Sequence, residues 1–414
     1  MTREAVMFDM PKTIEKSVDV EAVLLNHVPA LQRYPFLLRR LLIWGLKAFV
    51  NEDRINRFLQ DNAYLKEFDF IDRVFDELKI NYLVQHEEIR NIPATGRVLI
   101  VSNHPLGGLD GLALLRLIGT LRRDVFIVVN ELLINIKPLK GVFLPIDVFG
   151  QDTKRASLSR IIDALNDEKA VIIFPSGEVS RAGVKGIRDR KWLSGFLRIA
   201  EKTSAPILPI HIRARNSMLF YLASRLSQTL SMSMLPREMT GFKGKINFTI
   251  GHLISLNDIE KVPLERCEKA QMISRHLRRV GRGKTPIFTT FKSIIHPVNC
   301  KAIRNELKTA KRLGTTVDNK HILIINYEEN TFVMDEIGRL REMTFRSIGE
   351  GTGLSKDIDR YDRYYRHLVL WDDEKLEIAG AYRLGEIWRW QNQPIGELYS
   401  STLFSLSASH AALC

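Results

Sequence analysis

Residues 97–111 read Arg97-Val98-Leu99-Ile100-Val101-Ser102-Asn103-His104-Pro105-Leu106-Gly107-Gly108-Leu109-Asp110-Gly111, and the fold follows from them. The apolar, β-branched run predicts a buried strand that ends in an Asn-His-Pro turn and leads into an apolar helix. The turn delivers an imidazole to the mouth of a sheet, where a carboxylate can orient it and stabilise its charged form. His104 and Asp110 are therefore candidates for general-base catalysis. The alternative is a strand-to-helix turn in which His104 only caps a backbone group.

The composition indicates a globular protein with two domains. The chain has 414 residues, of which 45% are hydrophobic and 26% charged, and it is too long for one ordinary core. Its three cysteines, Cys267, Cys300 and Cys414, show no Cys-x-x-Cys spacing. This argues against a disulfide framework or a zinc site, and we expect no metal.

The excess of positive charge lies entirely in the first three hundred residues. The net charge is +13, yet residues 300–414 contain 16 basic and 17 acidic side chains. The basic part suits an anionic membrane, an acidic carrier protein or nucleic acid. No aromatic-basic motif for reading bases accompanies it, so we expect no nucleic-acid partner. A basic run at 275–284 predicts a solvated linker face or, alternatively, a contact for an acyl carrier.

Residues 34–50 alternate apolar groups with Arg39, Arg40 and Lys47. This run is interrupted by charge and is too short to span a bilayer. It predicts a helix at a membrane interface with Trp44 near the headgroups, or a helix that packs on the protein's own core. We expect the protein to lie on a membrane and not to cross it.

The pattern along the chain predicts an α/β fold, a largely parallel sheet flanked by helices. Continuous apolar runs alternate with helical patterns, which is typical of strands buried on both faces. The predicted strands are 80–84, 98–102, 125–129, 142–148, 170–174 and 207–212, and the predicted helices are 52–79, 112–118, 153–167 and 190–203.

A second candidate site follows the strand at 170–174, because such sheets keep their chemistry at strand ends. The sequence there is Phe174-Pro175-Ser176-Gly177-Glu178-Val179-Ser180-Arg181. Backbone N–H groups of the turn and the guanidinium of Arg181 can hold a phosphate or carboxylate. The alternative is a surface loop in which Glu178 and Arg181 pair with each other.

Three blocks, in this order, resemble the glycerolipid acyltransferases: Asn103-His104 with Asp110, then 174–178, then Leu208-Pro209-Ile210. In that family a histidine deprotonates an acceptor hydroxyl that attacks an acyl thioester, and an aspartate supports the histidine. The resemblance implies His104 and Asp110 as catalytic residues. It implies substrate contacts from Asn103, Ser176, Gly177, Glu178 and Arg181. It also implies no bound cofactor, an acyl-carrier protein or coenzyme A thioester as co-substrate, and a lyso-lipid as acceptor.

The chain departs from that family pattern at three points. Five residues instead of four separate His104 from Asp110, and the two glycines between them can absorb the insertion. Ser176 stands where the family has its glutamate, and no arginine closes the second motif, which Gly141 begins. All three changes lie where the acceptor would bind, which suggests an acceptor other than lysophosphatidate.

A second unit begins near residue 320. A strand at 322–325, a helix at 334–345 and a hairpin of 367–371 with 378–384 are predicted. The unit resembles acyl-carrier-dependent N-acyltransferases with a GNAT-like fold, closest to the enzymes that make ornithine or glycine lipids. The resemblance implies that Arg341, Phe345, Asp357, Asp359, Asp362 and Arg383 bind an amino acid. An acidic, solvated loop is the alternative for the three aspartates.

The predicted organisation has five parts. They are an N-terminal helical, membrane-surface segment (1–79), the acyltransferase domain (80–290), a linker (291–319), a partial α+β GNAT-like domain (320–405) and a tail (406–414). Because few residues follow 399, we expect the second activity to be incomplete.

The two resemblances together predict a lipid O-acyltransferase of amino-acid-lipid synthesis, of the ornithine-lipid type. We expect it to be peripheral, on an anionic membrane surface at the cytoplasmic face of the bacterial inner membrane. One alternative is a 1-acylglycerol-3-phosphate O-acyltransferase with an inert second domain. Another is a non-catalytic basic protein that binds membranes or nucleic acid.

Overall fold

The buried run of the first motif forms strand β2 (Val98–Ser102), and every one of its residues is buried. β2 lies between β5 (Ala170–Ile173) and β8 (Ile207–Arg213) and runs parallel to both. Such a strand has apolar side chains on both faces, since helices cover both. The carboxyl end of β2 therefore opens at the edge where the neighbouring parallel strands also end.

The computed structural model describes residues 21, 35–130, 133, 136–146, 151–183, 186–221, 234–235, 237–329, 331–386 and 399. The chain divides into two compact units, Met1–Thr290 and Phe291–Cys414.

The first unit contains a largely parallel sheet with the strand order β1-β9-β8-β2-β5-β3-β4. Its further strands are β1 (Tyr82–Leu83), β3 (Val125–Asn130), β4 (Phe143–Ile146), β9 (Ile246–Ile250) and β10 (Leu253–Ile254), and a short hairpin pairs β6 (Arg181–Gly183) with β7 (Gly186–Arg188). β9 and β10 both run antiparallel to β8.

Several helices of the first unit pack against this sheet, while α1 contacts α2. The described helices are α1 (Phe36–Val50), α2 (Glu52–Asp61), α3 (Glu67–Leu78), α4 (His86–Ile89), α5 (Gly108–Gly119), α6 (Gln151–Asn166), α7 (Gly195–Thr203), α8 (Leu256–Glu260) and α9 (Arg266–Val280). One core joins the apolar side chains of β2, β5 and β8 to those of α6, α7 and α9. In the part of the chain described, no helix has the length and apolar character needed to cross a bilayer.

The predicted fold class is confirmed, with differences at the margins of the sheet. The predicted strand at 80–84 is reduced to β1, and the predicted helix over 52–79 is two helices separated at 62–66. The sequence analysis missed β9, whose residues Ile246, Phe248 and Ile250 are buried at alternate positions. The end of the predicted strand 142–148 lies outside the described residues.

The second unit is an antiparallel sheet with a helix packed on it. The strand order is β12 (Lys311–Thr315), β13 (His321–Asn326), β14 (Arg366–Asp372) and β15 (Glu377–Leu384). The helices are α10 (Cys300–Leu307) and α11 (Phe332–Ser347), and β11 (Thr290–Phe291) stands at the junction of the two units along the chain. The prediction of a linker over 291–319 was wrong, because α10 and β12 fall inside it and Ile303 and Leu307 join the core of this unit.

Candidate active site

His104 lies directly after β2, in the turn that leads to α5. Its ring stacks on Phe174, which follows the neighbouring strand β5, with 4.0 Å between ring centroids and 20° between planes. The side chain is 17% exposed. Two adjacent strand ends thus hold the imidazole flat at the sheet edge while leaving part of it accessible.

Asp110 is the partner of the imidazole. Its Oδ2 lies 3.1 Å from His104 Nδ1 and also accepts hydrogen bonds from the backbone N–H groups of Leu106 (2.7 Å) and Gly107 (3.2 Å). Burial raises the pKa of the Asp110 carboxyl, and the hydrogen bond from His104 opposes that rise. With Nδ1–H donating to Asp110, the basic nitrogen of the ring is Nε2.

Gly107 makes the five-residue spacing compatible with this pair. Its φ is +80°, a left-handed conformation that glycine adopts without strain. Gly107 directly precedes α5, so the turn accommodates the extra residue. Asp110 then lies in the first turn of α5, where its carboxylate contacts the His104 ring.

Asn103 has a structural role. Its side-chain amide donates to the carbonyl of Ile212 and its oxygen accepts from the Ile212 N–H, both at 2.8 Å. The side chain therefore extends the pairing of β2 with β8 beyond the strand end. The substrate contact of Asn103 stays a prediction.

The Ser-Gly-Glu turn lies beside His104, but its charged groups pair with each other. Ser176 donates to the Glu178 carbonyl at 2.8 Å, and Gly177 takes a φ of +65°. The Glu178 carboxylate binds Arg181 at 2.7 Å and Arg190 at 3.0 Å. The structure thus shows the pairing of Glu178 with Arg181 that the sequence left as the alternative. The contacts between this turn and the acceptor stay predictions.

Asp189 is a site residue that the sequence analysis missed. Its Oδ1 accepts from the backbone N–H of His104 (3.2 Å) and from the Ser180 hydroxyl, and its Oδ2 accepts from Trp192 Nε1 (3.1 Å). The Ser180 N–H in turn donates to the His104 carbonyl at 2.8 Å. Asp189 therefore joins the two catalytic loops. The available signal was slight, namely that it is the single acid between residues 181 and 191.

An apolar wall stands next to the turn. Phe220, Tyr221 and Met234 form a buried cluster, with Val179, Ile187 and Leu235 packed against it. A methyl group built on Gly107 would lie 3.0 Å from Leu235 and 3.3 Å from Val179. The turn that carries His104 is therefore bordered by apolar surface.

In the second unit, five of the six predicted residues come together. Arg341 of α11 contacts Asp362 (2.9 Å) and Asp357 (3.2 Å), and Arg383 of β15 contacts Asp359 (2.9 Å) and Asp362 (3.4 Å). Asp362 is fully buried, so the alternative of a solvated acidic loop was wrong for it.

Phe345 does not join this cluster through any ring contact recorded among the described residues. It lies one turn beyond Arg341 on α11 with 40% of its surface exposed. Within the described residues, no group of three or more His, Cys, Asp or Glu side chains is arranged to hold a metal ion.

The fold and the His-Asp site define an acyltransferase. The acyltransferase family model matches residues 22–261, which is more than half of the chain, and the chain belongs to this family. A second model, the acetyltransferase (GNAT) domain, matches residues 340–413.

Among named proteins, the chain is 29% identical over 253 residues to the lyso-glycine lipid O-acyltransferase of Phocaeicola vulgatus, covering 59% of this chain and 88% of that protein. It is 30% identical over 217 residues to the protein of the same name from Bacteroides thetaiotaomicron, covering 52% and 77%. The glycine N(alpha)-acyltransferase of B. thetaiotaomicron is 42% identical over 122 residues, but the match covers 28% of this chain and only 36% of that protein. These relatives and the family match show a lipid acyltransferase.

Proposed function

We propose that the first unit transfers a fatty acyl group from a thioester to a hydroxyl of a lyso-amino-acid lipid. The observation that carries the proposal is the contact between His104 Nδ1 and the buried Asp110, and among the described residues no hydrogen bond is found at Nε2 of the ring. The turn that carries the ring adjoins the apolar wall. Two relatives are named lyso-glycine lipid O-acyltransferases, so a glycine headgroup should be tested first, before ornithine.

The residues present suffice for the reaction. Nε2 of His104 accepts the hydroxyl proton while the acceptor oxygen attacks the thioester carbonyl carbon. The C–S bond then breaks, the thiolate leaves and takes the proton from the imidazolium, and an ester remains. Asp110 stabilises the imidazolium between these two steps, because its carboxylate lies against Nδ1. No step needs a metal or a bound cofactor, and the co-substrate is an acyl-carrier protein or coenzyme A thioester.

The place of action that we propose is the cytoplasmic face of the inner membrane, with the protein held peripherally. Helix α1 supports this, since it exposes large apolar side chains along most of its surface and buries Ile43. The exposed ones are Phe36, Leu37, Leu38, Leu41, Leu42 and Trp44. A helix with exposed apolar side chains and interspersed arginines is typical of an anionic membrane surface.

The decisive test compares the protein with His104→Ala. Lipids of a host expressing either protein are analysed by mass spectrometry, and the purified proteins are offered an acyl thioester with lyso-glycine lipid, lyso-ornithine lipid or lysophosphatidate. We expect a diacylated amino lipid from the wild type and a loss of about 10²-fold or more in rate for the variant. Circular dichroism should show an unchanged fold.

Product formation by His104→Ala at the wild-type rate would refute the mechanism. New phosphatidate in place of the amino lipid would instead support the alternative of phospholipid synthesis. Retention on DNA, with affinity falling steeply with salt and without acyl transfer, would favour the non-catalytic alternative.

A second candidate activity, N-acylation of an amino acid, rests on the cluster of two arginines and three aspartates in the second unit. Its charged groups can bind both an amine and a carboxylate. An N-acyl amino acid formed by the wild type from an added amino acid and an acyl thioester, with release of the thiol, and lost on Arg383→Gln, would support it.

A further inference from the structure

A cluster of arginines lies one strand away from the catalytic turn. Asn103 bridges to both backbone groups of Ile212, so the residues on either side of Ile212 are neighbours of the His104 turn. Those residues, His211 and Arg213, lie on the same face of β8, since side chains alternate along a strand. This face is the one that α9 covers at its carboxyl end.

Helix α9 brings more positive charge to that face. Arg275, Arg278 and Arg282 are spaced three and four residues apart, which places them on one side of the helix and its extension. Gly281 makes the approach possible, because a Cβ there would stand 2.3 Å from Cγ of His211. The basic run at 275–284 thus lies at the end of α9 and in the turn after it, so the expectation of a linker was wrong, whereas Arg275, Arg279 and Arg282 are exposed as a solvated face requires.

These charges act on the groups that they surround. Burial, together with the charges of Arg282, Arg213 and Arg278, lowers the pKa of His211 to about 4. Burial and the neighbouring charge of Arg188 lower the pKa of Arg278. His211 therefore stays neutral at physiological pH and adds no charge of its own.

The nearby acid offsets only part of this charge. The charge of Asp189 opposes the lowering of the Arg278 pKa, but it is one carboxylate beside four arginines. Its oxygens also accept hydrogen bonds from His104, Ser180 and Trp192. No ion pair found among the described residues involves Arg188, Arg213, Arg278 or Arg282. Arg278 is half-buried and Arg188, Arg213 and Arg282 are exposed, so an anion from solvent can reach these guanidinium groups.

We propose that Arg188, Arg213, Arg278 and Arg282 bind the phosphate of the phosphopantetheine arm of the acyl donor. This rests on the proposed function, since it names the part of the thioester that is recognised. The guanidinium fork matches phosphate oxygens, and several forks on one surface suit a group with multiple acceptors. In such a donor the arm separates phosphate from thioester, so a phosphate site beside the His104 turn leaves the sulfur end free to reach the base.

The first experiment measures binding by calorimetry in the His104→Ala protein, where no turnover occurs. The probes are 4′-phosphopantetheine and pantetheine, which differ only in the phosphate. We expect the phosphate to strengthen binding about tenfold or more, and R278Q/R282Q to remove that preference. The exposed pair K243Q/K245Q carries the same change in charge and should keep it.

An equal preference for the phosphate in R278Q/R282Q and in the parent would overturn the proposal. R278K/R282K tests the geometry, because lysine keeps the charge without the fork, and it should restore only part of the preference. Binding does not depend on catalysis, so these results stand even if the protein transfers no acyl group in the assay of the proposed function.

The second experiment measures kinetics with acyl-coenzyme A and with acyl-carrier protein. R278Q/R282Q should raise KM for the donor about tenfold while kcat and KM for the acceptor change less than about twofold. If KM rises with both donors, the site binds the phosphopantetheine arm that they share. If KM rises with one donor, that donor is the one that the protein uses. An increase in KM for the acceptor alone would contradict the proposal and point to a lipid headgroup.

Discussion

At the scale of single residues, the site depends on one buried carboxylate. Asp110 is fully buried, and its Oδ1 has no hydrogen-bond partner among the described residues, while Oδ2 accepts from two N–H groups and lies against the imidazole. Burying a charge this way is unfavourable for folding but strengthens its interaction with an imidazolium. We therefore expect the buried carboxylate to lower the stability of the fold and to raise the rate of acyl transfer.

Asp110→Asn tests the effect of this carboxylate on both stability and activity. The pKa of Asp110 is raised above its unfolded value, so the folded protein binds this proton more tightly and loses stability as pH rises through both values. At pH 7 the variant should therefore melt higher, by about 2 °C. Acyl transfer should fall about 10²-fold or more, because the imidazolium loses its counter-charge.

Thermal unfolding at pH 4 to 7 and steady-state rates check this prediction. The gain in melting temperature should shrink toward acidic pH, where the native carboxyl is protonated. The prediction fails if the melting temperature of the variant minus that of the parent is smaller at pH 7 than at pH 4. That result would show that the buried charge does not limit stability.

At the scale of elements, the start of α5 sets the catalytic geometry. Gly107 takes a left-handed φ and faces Leu235 and Val179, whereas nothing lies within 4 Å of a methyl group built on Gly108. The two adjacent glycines therefore have different structural roles, although they are the same residue type.

Gly107→Ala should lower the free energy of unfolding by about 1–3 kcal/mol, because it adds both backbone strain and a close contact. The rate should fall with it, since the turn positions His104 over Asp110. Gly108→Ala is the matched control and should be neutral or stabilising by about 0.5–1 kcal/mol, as alanine favours the helix. Denaturant unfolding and acyl-transfer rates measure both variants. Equal losses in the two would contradict this division of roles.

Helix α1 provides the second prediction at this scale. L37E/L41E replaces two exposed leucines, and we expect at least a tenfold loss of binding to vesicles that contain anionic lipid, because each side chain no longer enters the interface. Sedimentation of the protein with vesicles measures this. Val317→Glu, at a fully exposed position of the second unit, is the control and should bind as the parent does. Unchanged binding by L37E/L41E would exclude α1 as the membrane contact.

At the scale of the whole molecule, each unit has its own core. Leu99, Val171 and Ile207 belong to one, and Val333, Val369 and Trp371 belong to the other. A change that destabilises one core should therefore leave the chemistry of the other unit in place.

Arg341→Gln tests this. The substitution leaves the buried Asp362 and Asp357 with less counter-charge, and breaking such a pair typically lowers the free energy of unfolding by about 3–5 kcal/mol. We expect one calorimetric transition to shift down while O-acyl transfer by the first unit stays within about twofold at temperatures below that transition. Loss of O-acyl transfer at those temperatures would show that the units depend on each other.

The sequence by itself determined the parallel sheet and the candidate base. Continuous β-branched runs such as 98–102 bury both faces, and this local pattern needs no knowledge of distant partners. His104 and Asp110 were found for the same reason, since they flank one turn. The second-unit residues Arg341, Asp357, Asp359, Asp362 and Arg383 were named through family resemblance, and the structure then brought them together.

Only the tertiary structure decided the roles of residues that act across the sheet. Asn103 proved to bind Ile212, Asp189 proved to join two loops, and Gly281 proved to lie against His211 because α9 packs on β8. Each of these relations joins groups 70 to 109 residues apart along the chain. No periodicity or spacing encodes such contacts, since they depend on which strands become neighbours and on which helix covers them.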